Sequence, residues 1–132
     1  MEETEPFVHF EIDRIRKLLI LHWHGFVPSD EYRQGLLEAL QVSQKEHLKS
    51  WILNTRHMKV IRQADQDWTV NVWFPQFQTK GIEHLGILIS EDIFNQMAIS
   101  SMVAKIRPYL RNEPEYFHDF SAALKWVVEV SK

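Results

Sequence analysis

Residues 50–56 have the sequence SWILNTR, a short apolar run that becomes polar abruptly. The run lies between a helical pattern at 29–46 and a second helical pattern that begins near Ala64. Short apolar runs flanked by helices are typical of strands covered on both faces, in the interior of a parallel or mixed sheet. In α/β folds, functional groups are usually placed at the carboxyl ends of such strands. The candidate binding residues at this end are polar: Asn54, Thr55, Arg56 and His57.

Composition limits the class of protein. The chain has 132 residues, 45% hydrophobic and 25% charged, which favours one globular domain spanning 1–132. It has no cysteine, which excludes disulfides and thiolate metal ligands and is compatible with a cytoplasmic location. The acidic residues 1–6 lack the pattern of a signal peptide, and no apolar run has the length of a transmembrane span. A formal net charge of -3 argues against general nucleic-acid binding.

Hydrophobic periodicity predicts the order of the elements. The predicted strands cover residues 7–13, 18–26, 50–54, 84–89 and, at a sheet edge, 115–118. The predicted helices cover residues 29–46, 64–79, 90–107 and 119–130, with Ser29, Ser90 and either Asp119 or Ser121 at the starts of three of them. The first two strands are linked too closely for a crossover, so they form an antiparallel hairpin, whereas strands joined through helices run parallel. We therefore expect an α/β domain with a mixed, mostly parallel sheet of four to five strands, an N-terminal β-hairpin and about four helices.

This order of elements and the closing segment Phe117-x-x-Phe120-x-x-Ala123-x-x-Trp126 resemble the STAS fold, named for sulfate transporters and anti-sigma-factor antagonists. The chain is most similar to the small bacterial STAS/Sec14-like, or sporulation-antagonist-like, domains, and the resemblance covers nearly its whole length. It implies a non-catalytic module that binds a protein, a lipid or another small ligand.

The resemblance departs from the family pattern after the third strand. In the phosphoregulated antagonists the comparable strand ends in Asp-Ser and runs straight into a helix. Here Asn54 and Thr55 occupy those positions, but Arg56 and His57 follow and several more residues precede the helix. We therefore expect a regulatory module without the usual phospho-serine switch.

Aromatic residues are concentrated in the predicted helix 64–79. Trp68 and Val72 continue a stripe that begins at Ala64, so we expect them to face the sheet, while Trp73, Phe74 and Phe77 lie on other arcs. A helix with more than one apolar stripe is either buried on several sides or meets a partner or ligand. The candidate binding residues of this helix are Trp68, Trp73, Phe74 and Phe77. They suit the contact of a homodimer or the wall of an apolar pocket, and a core helix is the alternative.

Histidines on the first two strands suggest a metal site. His22 and His24 share one face of their strand, and His9 and Glu11 share a face of the neighbouring strand. Imidazole and carboxylate groups suit zinc, although no HExxH-type spacing is present, and a solvated face of the sheet explains the same pattern. His9, His22 and His24 therefore remain a remote candidate metal site.

The basic residues that follow the third strand suggest an anion site. Arg56, His57, Lys59 and Arg62 could hold a phosphate or carboxylate near the start of the next helix, where the helix dipole would assist. A solvated loop whose cations pair with Asp65 and Asp67 explains the same residues.

Motifs for catalysis are absent. The sequence contains no GxSxG elbow, Walker-type loop or GxGxxG fingerprint, and it has no cysteine nucleophile. We predict no catalytic residues and no cofactor. Three functions stay open: a regulatory module that engages a protein partner, a carrier or sensor of a lipid or other small apolar ligand, and a metal-dependent hydrolase built on the histidine face.

Overall fold

Five strands form one mixed sheet in the computed structural model, which describes residues 6–132. The strands are β1 (Val8–Asp13), β2 (Leu18–Gly25), β3 (Ser50–Met58), β4 (His84–Leu88) and β5 (Glu115–Phe117). They lie in the sheet in the same order as in the chain, with β1 antiparallel to β2 and every other pair parallel. The predicted mixed sheet, its opening hairpin, the interior position of strand 50–54 and the short edge strand near 115 are confirmed.

The helical regions also follow the prediction. They are α1 (Ser29–Lys45), α2 (Gln63–Trp68), a π-helical segment (Thr69–Trp73), α3 (Phe74–Phe77), α4 (Ile93–Ile106), a short 3₁₀ turn (Arg107–Tyr109) and α5 (Phe120–Val130). Helix α2, the π-helical segment and α3 are contiguous, so residues 63–77 form one helix whose α-helical hydrogen-bonding pattern is interrupted by a π-helical turn. We call it the interrupted helix. Within residues 6–132 no helix combines the length and the apolar character needed to cross a membrane.

The start of α1 at Ser29 is confirmed, but two of the predicted N-cap residues are wrong. Pro28 and Asp92 hold the N-cap positions of α1 and α4, rather than Ser29 and Ser90. The Asp92 carboxylate accepts hydrogen bonds from the first backbone N–H groups of α4, which otherwise lack partners inside the helix. Ser29 lies one residue inside α1, and its hydroxyl donates to the Asp65 carboxylate (2.7 Å). The start of α5 at Asp119 is confirmed.

The strand order decides which face of the sheet each helix covers. The crossovers β2-α1-β3, β3-interrupted helix-β4 and β4-α4-β5 all step in the same direction across the sheet. Because parallel crossovers share one handedness, they place their helices on one face. The large core cluster lies on this helical face, and α5 covers the other face with a smaller cluster around Ala123 and Val127. A single helix leaves part of that second face open.

Trp51 is the centre of the core on the helical face. It is fully buried, and its indole N–H donates to the Ser43 hydroxyl on α1 (2.8 Å). Its ring contacts the rings of Trp73 (5.8 Å between centroids) and Phe77 (5.2 Å) on the interrupted helix. Trp73 is fixed in turn by a hydrogen bond from its indole to the Leu36 carbonyl on α1 (2.9 Å). These contacts join β3, α1 and the interrupted helix into one packed unit.

Candidate functional site

The polar residues predicted to follow the third strand lie within it. β3 continues to Met58, four residues past the predicted end, because the long strand β2 supplies hydrogen-bonding partners on that side. The pairing is irregular there: His22 lies opposite Asn54 and His24 opposite His57, so β3 has one residue more than β2 over this stretch. A bulge of this kind changes the side of the sheet to which the neighbouring side chains of the bulged strand point. As a result, Asn54 and His57 border one cleft with the histidines, while Thr55 points to the helical face.

An apolar cavity of about 80 Å³ lies on the helical face between the sheet, the interrupted helix and α4. Carbon atoms make up nearly all of its wall, and three hydroxyl-bearing residues, Tyr32, Thr55 and Thr69, also border it. Trp73, Phe74 and Phe77 line it from the interrupted helix. Of the aromatic residues proposed from the sequence, the structure therefore brings three together around one cavity.

A second, more polar cleft adjoins this cavity at the carboxyl ends of β3 and β4. It measures about 190 Å³ and shares Thr55, Ile87 and Ile99 with the wall of the cavity. Its other polar lining residues are Ser90, Gln96, Ser100 and Tyr116, and within the described part of the chain no charged side chain lines it. We call this cleft the mouth. Thr55 stands at the junction, where it is buried and its hydroxyl donates to the Leu88 carbonyl (2.6 Å).

The orientation predicted for the aromatic helix is wrong. Trp73, Phe74 and Phe77 are buried in the core, whereas Val72 is half exposed. The reason is the π-helical segment, in which the Phe74 N–H donates to the Thr69 carbonyl five residues earlier. One extra residue in a turn rotates every later side chain relative to an α-helical extrapolation. A homodimer contact through the buried rings therefore has no support.

Pro75 explains why the helix widens at this place. Proline has no N–H to donate to the carbonyl of the residue four positions earlier, and its ring crowds that carbonyl. Pro75 is the second residue of α3, which follows the π-helical segment directly. The wider turn relieves the crowding, so the same residue that marked an interruption in the sequence also sets the inward orientation of the aromatic rings.

Trp68 differs from the other three aromatic candidates because it does not line the cavity. It is partly buried at the margin of the core, where the Arg33 guanidinium lies over its ring (5.2 Å to the centroid). Its edge meets Tyr32 (6.5 Å between centroids). Trp68 therefore packs α2 against α1, which is a structural position.

Tyr32 is a polar residue of the cavity wall that the sequence did not single out. It is buried, and its hydroxyl donates to Thr69 Oγ1 (2.7 Å), which donates in turn to the Asp65 carbonyl (2.7 Å). Burial raises the pKa of the Tyr32 phenol well above its usual range, since the low-dielectric surroundings disfavour the phenolate. The sequence of α1 indicates only that Tyr32 lies on the apolar side of the helix, and it does not indicate that the hydroxyl borders a cavity.

The raised pKa of Tyr32 predicts a loss of stability in alkali. Below about pH 10 the phenol is protonated in both the folded and the unfolded chain, and its contribution is constant. Above that pH the unfolded chain releases the proton and the folded chain keeps it, so unfolding becomes easier by up to about 1.4 kcal/mol per pH unit. Urea titrations at pH 9 and pH 11 should show this loss in the wild type and a clearly smaller loss in Tyr32→Phe. Equal losses in the two proteins would contradict the prediction.

The histidines border a separate, open cleft of about 370 Å³ on the face that α5 leaves uncovered. His9, His22, His24, His57 and Asn54 line it. His22 lies opposite His9 across the β1–β2 pair, and its two ring nitrogens are engaged by the Glu11 carboxylate (3.0 Å) and the Asn54 amide (2.9 Å). The predicted shared face is therefore present.

This histidine arrangement does not support the metal hypothesis. Among residues 6–132, no three His, Asp or Glu side chains are grouped so that they could hold a metal ion. A histidine ligand to zinc must offer a ring-nitrogen lone pair, and the two ring nitrogens of His22 already contact Asn54 and Glu11. The structure therefore gives no support to the hydrolase alternative, which depends on a metal site formed by these histidines.

The basic residues between positions 56 and 62 do not gather into an anion site either. Arg56 donates to the His118 carbonyl (3.3 Å), and Arg62 donates to the Val27 carbonyl (3.0 Å). His57 contacts the Glu91 carboxylate (3.2 Å). The cleft that contains Arg56, His57 and Lys59 is also lined by Glu91 and Asp92, whose negative charge opposes an anion. The expected pairing with Asp65 is wrong, since Asp65 binds Arg33 instead.

Comparison with known proteins identifies the fold. No family model and no curated protein matches the chain. A crystal structure of an uncharacterized protein of the DUF3478 family from Shewanella loihica PV-4, described as having a SpoIIAA-like fold, is similar to it with a TM-score of 0.60. The two sequences are 16% identical, and the match covers 96% of this chain and 98% of that chain. The resemblance to the STAS fold is confirmed: this chain has a SpoIIAA-like fold.

Proposed function

We propose that this chain is a non-catalytic STAS-like binding module of the cytoplasm that carries or senses a small, largely apolar ligand. One observation carries the proposal: the apolar cavity adjoins the polar mouth at Thr55, Ile87 and Ile99. The mouth lies at the carboxyl ends of parallel strands, where open α/β sheets place their ligands. The fold supports a binding role, and the aromatic residues of the interrupted helix supply the apolar wall.

The cost of the cavity supports a functional role for it. Protein cores are close-packed, and an apolar space of about 80 Å³ without side chains deprives its lining of packing contacts. The π-helical segment borders the cavity through Thr69 and Trp73. π-Helical turns occur frequently at functional sites. A ligand that filled the cavity would recover the lost packing energy.

The lining limits the chemistry of the ligand. The cavity is smaller than the roughly 150 Å³ cavity that accepts benzene in an engineered protein, so it fits a short or narrow apolar group. The mouth offers the uncharged polar groups of Ser90, Gln96, Ser100 and Tyr116. A charged head group would be poorly compensated there, since buried charges need paired charges or many donors. The ligand we infer has a narrow apolar chain and a neutral hydroxyl or amide head.

A regulatory role can operate through this ligand without a phosphate switch. Thr55 is only 3% exposed, and its hydroxyl is engaged by the Leu88 carbonyl. A phosphate on Thr55 would place about two negative charges at a buried position, and among residues 6–132 no Lys or Arg lines the cavity or the mouth that Thr55 borders. Regulation of a protein partner would instead depend on whether the cavity is filled.

1-Octanol is a suitable probe because it has a narrow chain and a neutral head. Trp23 and Trp73 line the cavity, so their fluorescence reports its occupation. We expect saturable binding to the wild type and, at a hundredfold excess over Kd, a stabilisation of about 2.7 kcal/mol in urea titrations. Val103→Phe, which extends a ring into the cavity, should abolish binding. Val128→Phe on the exposed side of α5 is the matched control and should bind normally.

The head-group preference is tested by octanoate under the same conditions. We expect octanoate to bind at least about tenfold more weakly than octanol, a difference of about 1.4 kcal/mol. Native mass spectrometry of freshly purified protein would show whether a ligand is retained. Absence of octanol binding, or equal binding by Val103→Phe and the wild type, would overturn the proposal.

A further inference from the structure

The outer face of α4 carries large apolar side chains in solvent. Ile93, Phe94 and Met97 are 63%, 68% and 65% exposed, and their spacing places them next to one another on the helix. No charged residue occurs between Ile93 and Ala104. The solvent-facing side of a surface helix normally carries charged residues, so this face is typical of a contact surface.

The composition of this face changes in a regular order along the helix. The acidic residue Glu91 precedes its start, and the large apolar residues occupy its first half. The exposed residues of the second half are small: Ser100, Ser101 and Ala104. The basic residue Lys105 lies in its last turn, and Arg107 directly after it is paired with Glu113 (2.7 Å). The order is therefore acidic, large, small, basic.

A helix face with this order of residues is complementary to a second copy of itself that runs in the opposite direction. In a two-fold symmetric dimer the same patch occurs on both partners, and two copies of one helix that cross the axis run antiparallel. With the axis near the middle of α4, Phe94 meets the partner's Ala104 and Met97 meets the partner's Ser101. Large residues then fill the space above small ones, and the acidic end of each copy lies beside the basic end of the other.

We propose that the outer face of α4 is the contact surface of a homodimer with an antiparallel, two-fold symmetric helix pair. Charge complementarity favours a second copy as the occupant, because the exposed Glu91 precedes the helix and the exposed Lys105 lies in its last turn. Glu91 contacts His57 at the edge of α4 and is 69% exposed, so it can also reach a cation of the partner. This surface is distinct from the buried rings of the interrupted helix.

The size of the surface sets the strength of the dimer. Stable interfaces bury about 1,200–2,000 Å² in total, and one pair of four-turn helices buries less than that. We therefore expect a reversible dimer whose population rises with protein concentration. Because the centre of the contact is apolar, the dimer should persist at high salt. Screening of the charged ends by salt should lower its affinity only moderately.

Sedimentation equilibrium of the full chain tests the surface. The wild type should change from monomer to dimer over a range of about micromolar to hundreds of micromolar concentration. Met97→Glu places a charge at the centre of the contact and should weaken the dimer at least about tenfold. Val72→Glu, at a half-exposed position on the interrupted helix, is the matched control and should leave the dimer unchanged. Circular dichroism should confirm that both variants are folded.

Cysteine cross-linking tests the antiparallel arrangement. The chain has no cysteine, so a thiol introduced by Ser101→Cys is the only one present. Ser101 faces the partner's Met97, so we expect mild oxidation of a mixture of Ser101→Cys and Met97→Cys chains to give mainly the mixed disulfide-linked dimer. Ser121→Cys on the exposed start of α5 should remain monomeric under the same conditions.

Three outcomes would overturn the proposal. One is a wild-type chain that stays monomeric throughout the concentration range. A second is a dimer that responds equally to Met97→Glu and Val72→Glu, or one in which Ser101→Cys and Met97→Cys chains form no mixed disulfide, since its contact would then lie elsewhere. The third is a monomer that binds phosphatidylcholine vesicles and loses that binding in Met97→Glu, which would assign the face to a membrane surface.

Discussion

Replacing Trp51 with alanine should lower the free energy of unfolding by about 3–5 kcal/mol, the usual cost of removing a fully buried large aromatic residue. The side chain is 0% exposed and joins three elements of the core. Its removal takes away ring contacts with Trp73 and Phe77 and leaves the Ser43 hydroxyl without its indole donor. Urea titration followed by far-ultraviolet circular dichroism measures the loss.

Trp68→Ala is the matched control for this prediction. Trp68 is also a tryptophan of the aromatic group, but it is only partly buried at the margin of the core. Its loss should cost clearly less, about 1–2 kcal/mol, since only part of its apolar surface returns to water. If the two variants were equally stable, Trp51 would not be the centre of the packed unit described above.

Removing Arg33 should destabilise the protein more than neutralising its partner Asp65. The Asp65 side chain is 1% exposed and accepts hydrogen bonds from Arg33 Nε (2.9 Å) and the Ser29 hydroxyl (2.7 Å). Arg33→Met leaves the buried carboxylate without its cation, a defect that costs about 3–5 kcal/mol. Asp65→Asn removes the buried charge, and the Arg33 side chain, 38% exposed, can turn to water. That change should cost about 1–3 kcal/mol.

The order of the two costs is the informative measurement, because both variants break the same pair. Urea titrations of Arg33→Met, Asp65→Asn and the double variant at neutral pH provide it. The double variant should be more stable than Arg33→Met alone, since it no longer holds an unpaired buried carboxylate. A double variant less stable than either single one would show that the pair contributes through packing rather than through charge.

The sheet was predictable because its strands have local signatures. The apolar run at 50–54 between helical patterns indicated an interior strand, and the alternation in β1 and β2 placed the histidines on one face before their contacts were known. The end of β3 was not predictable from its own residues. Its last residues pair with the end of β2, and that partner is more than 30 positions away in the chain.

The interrupted helix shows the other limit of sequence periodicity. Counting in steps of 3.6 residues from Ala64 placed Val72 inside and the later rings outside, which is the reverse of the structure. Pro75 indicated an interruption, but a proline can be accommodated by a kink, a break or a widened turn. Only the packing of the rings against Trp51 selects the widened turn.

The candidate site was predictable in part for a similar reason. Trp73, Phe74, Phe77 and Thr55 were candidates from the sequence, and they line the cavity. Tyr32 and Ile99, which complete its wall, come from α1 and α4. In the sequence, each of these two residues can be recognised only as a buried residue on the apolar side of its helix. The pattern of one helix reveals that a side chain is buried, but not that a space remains beside it.

The sequential order of the strands has a consequence for biosynthesis. β2, β3, β4 and β5 each pair with the strand that precedes them in the chain, so no strand must wait for a distant segment to be made. Domains assemble readily as they leave the ribosome when their contacts are mostly with residues already synthesised. The sheet can therefore grow from its first hairpin in one direction, and α5, the last element, closes the opposite face. A nascent chain halted after β4 should already hold the hairpin, β3 and the interrupted helix in register.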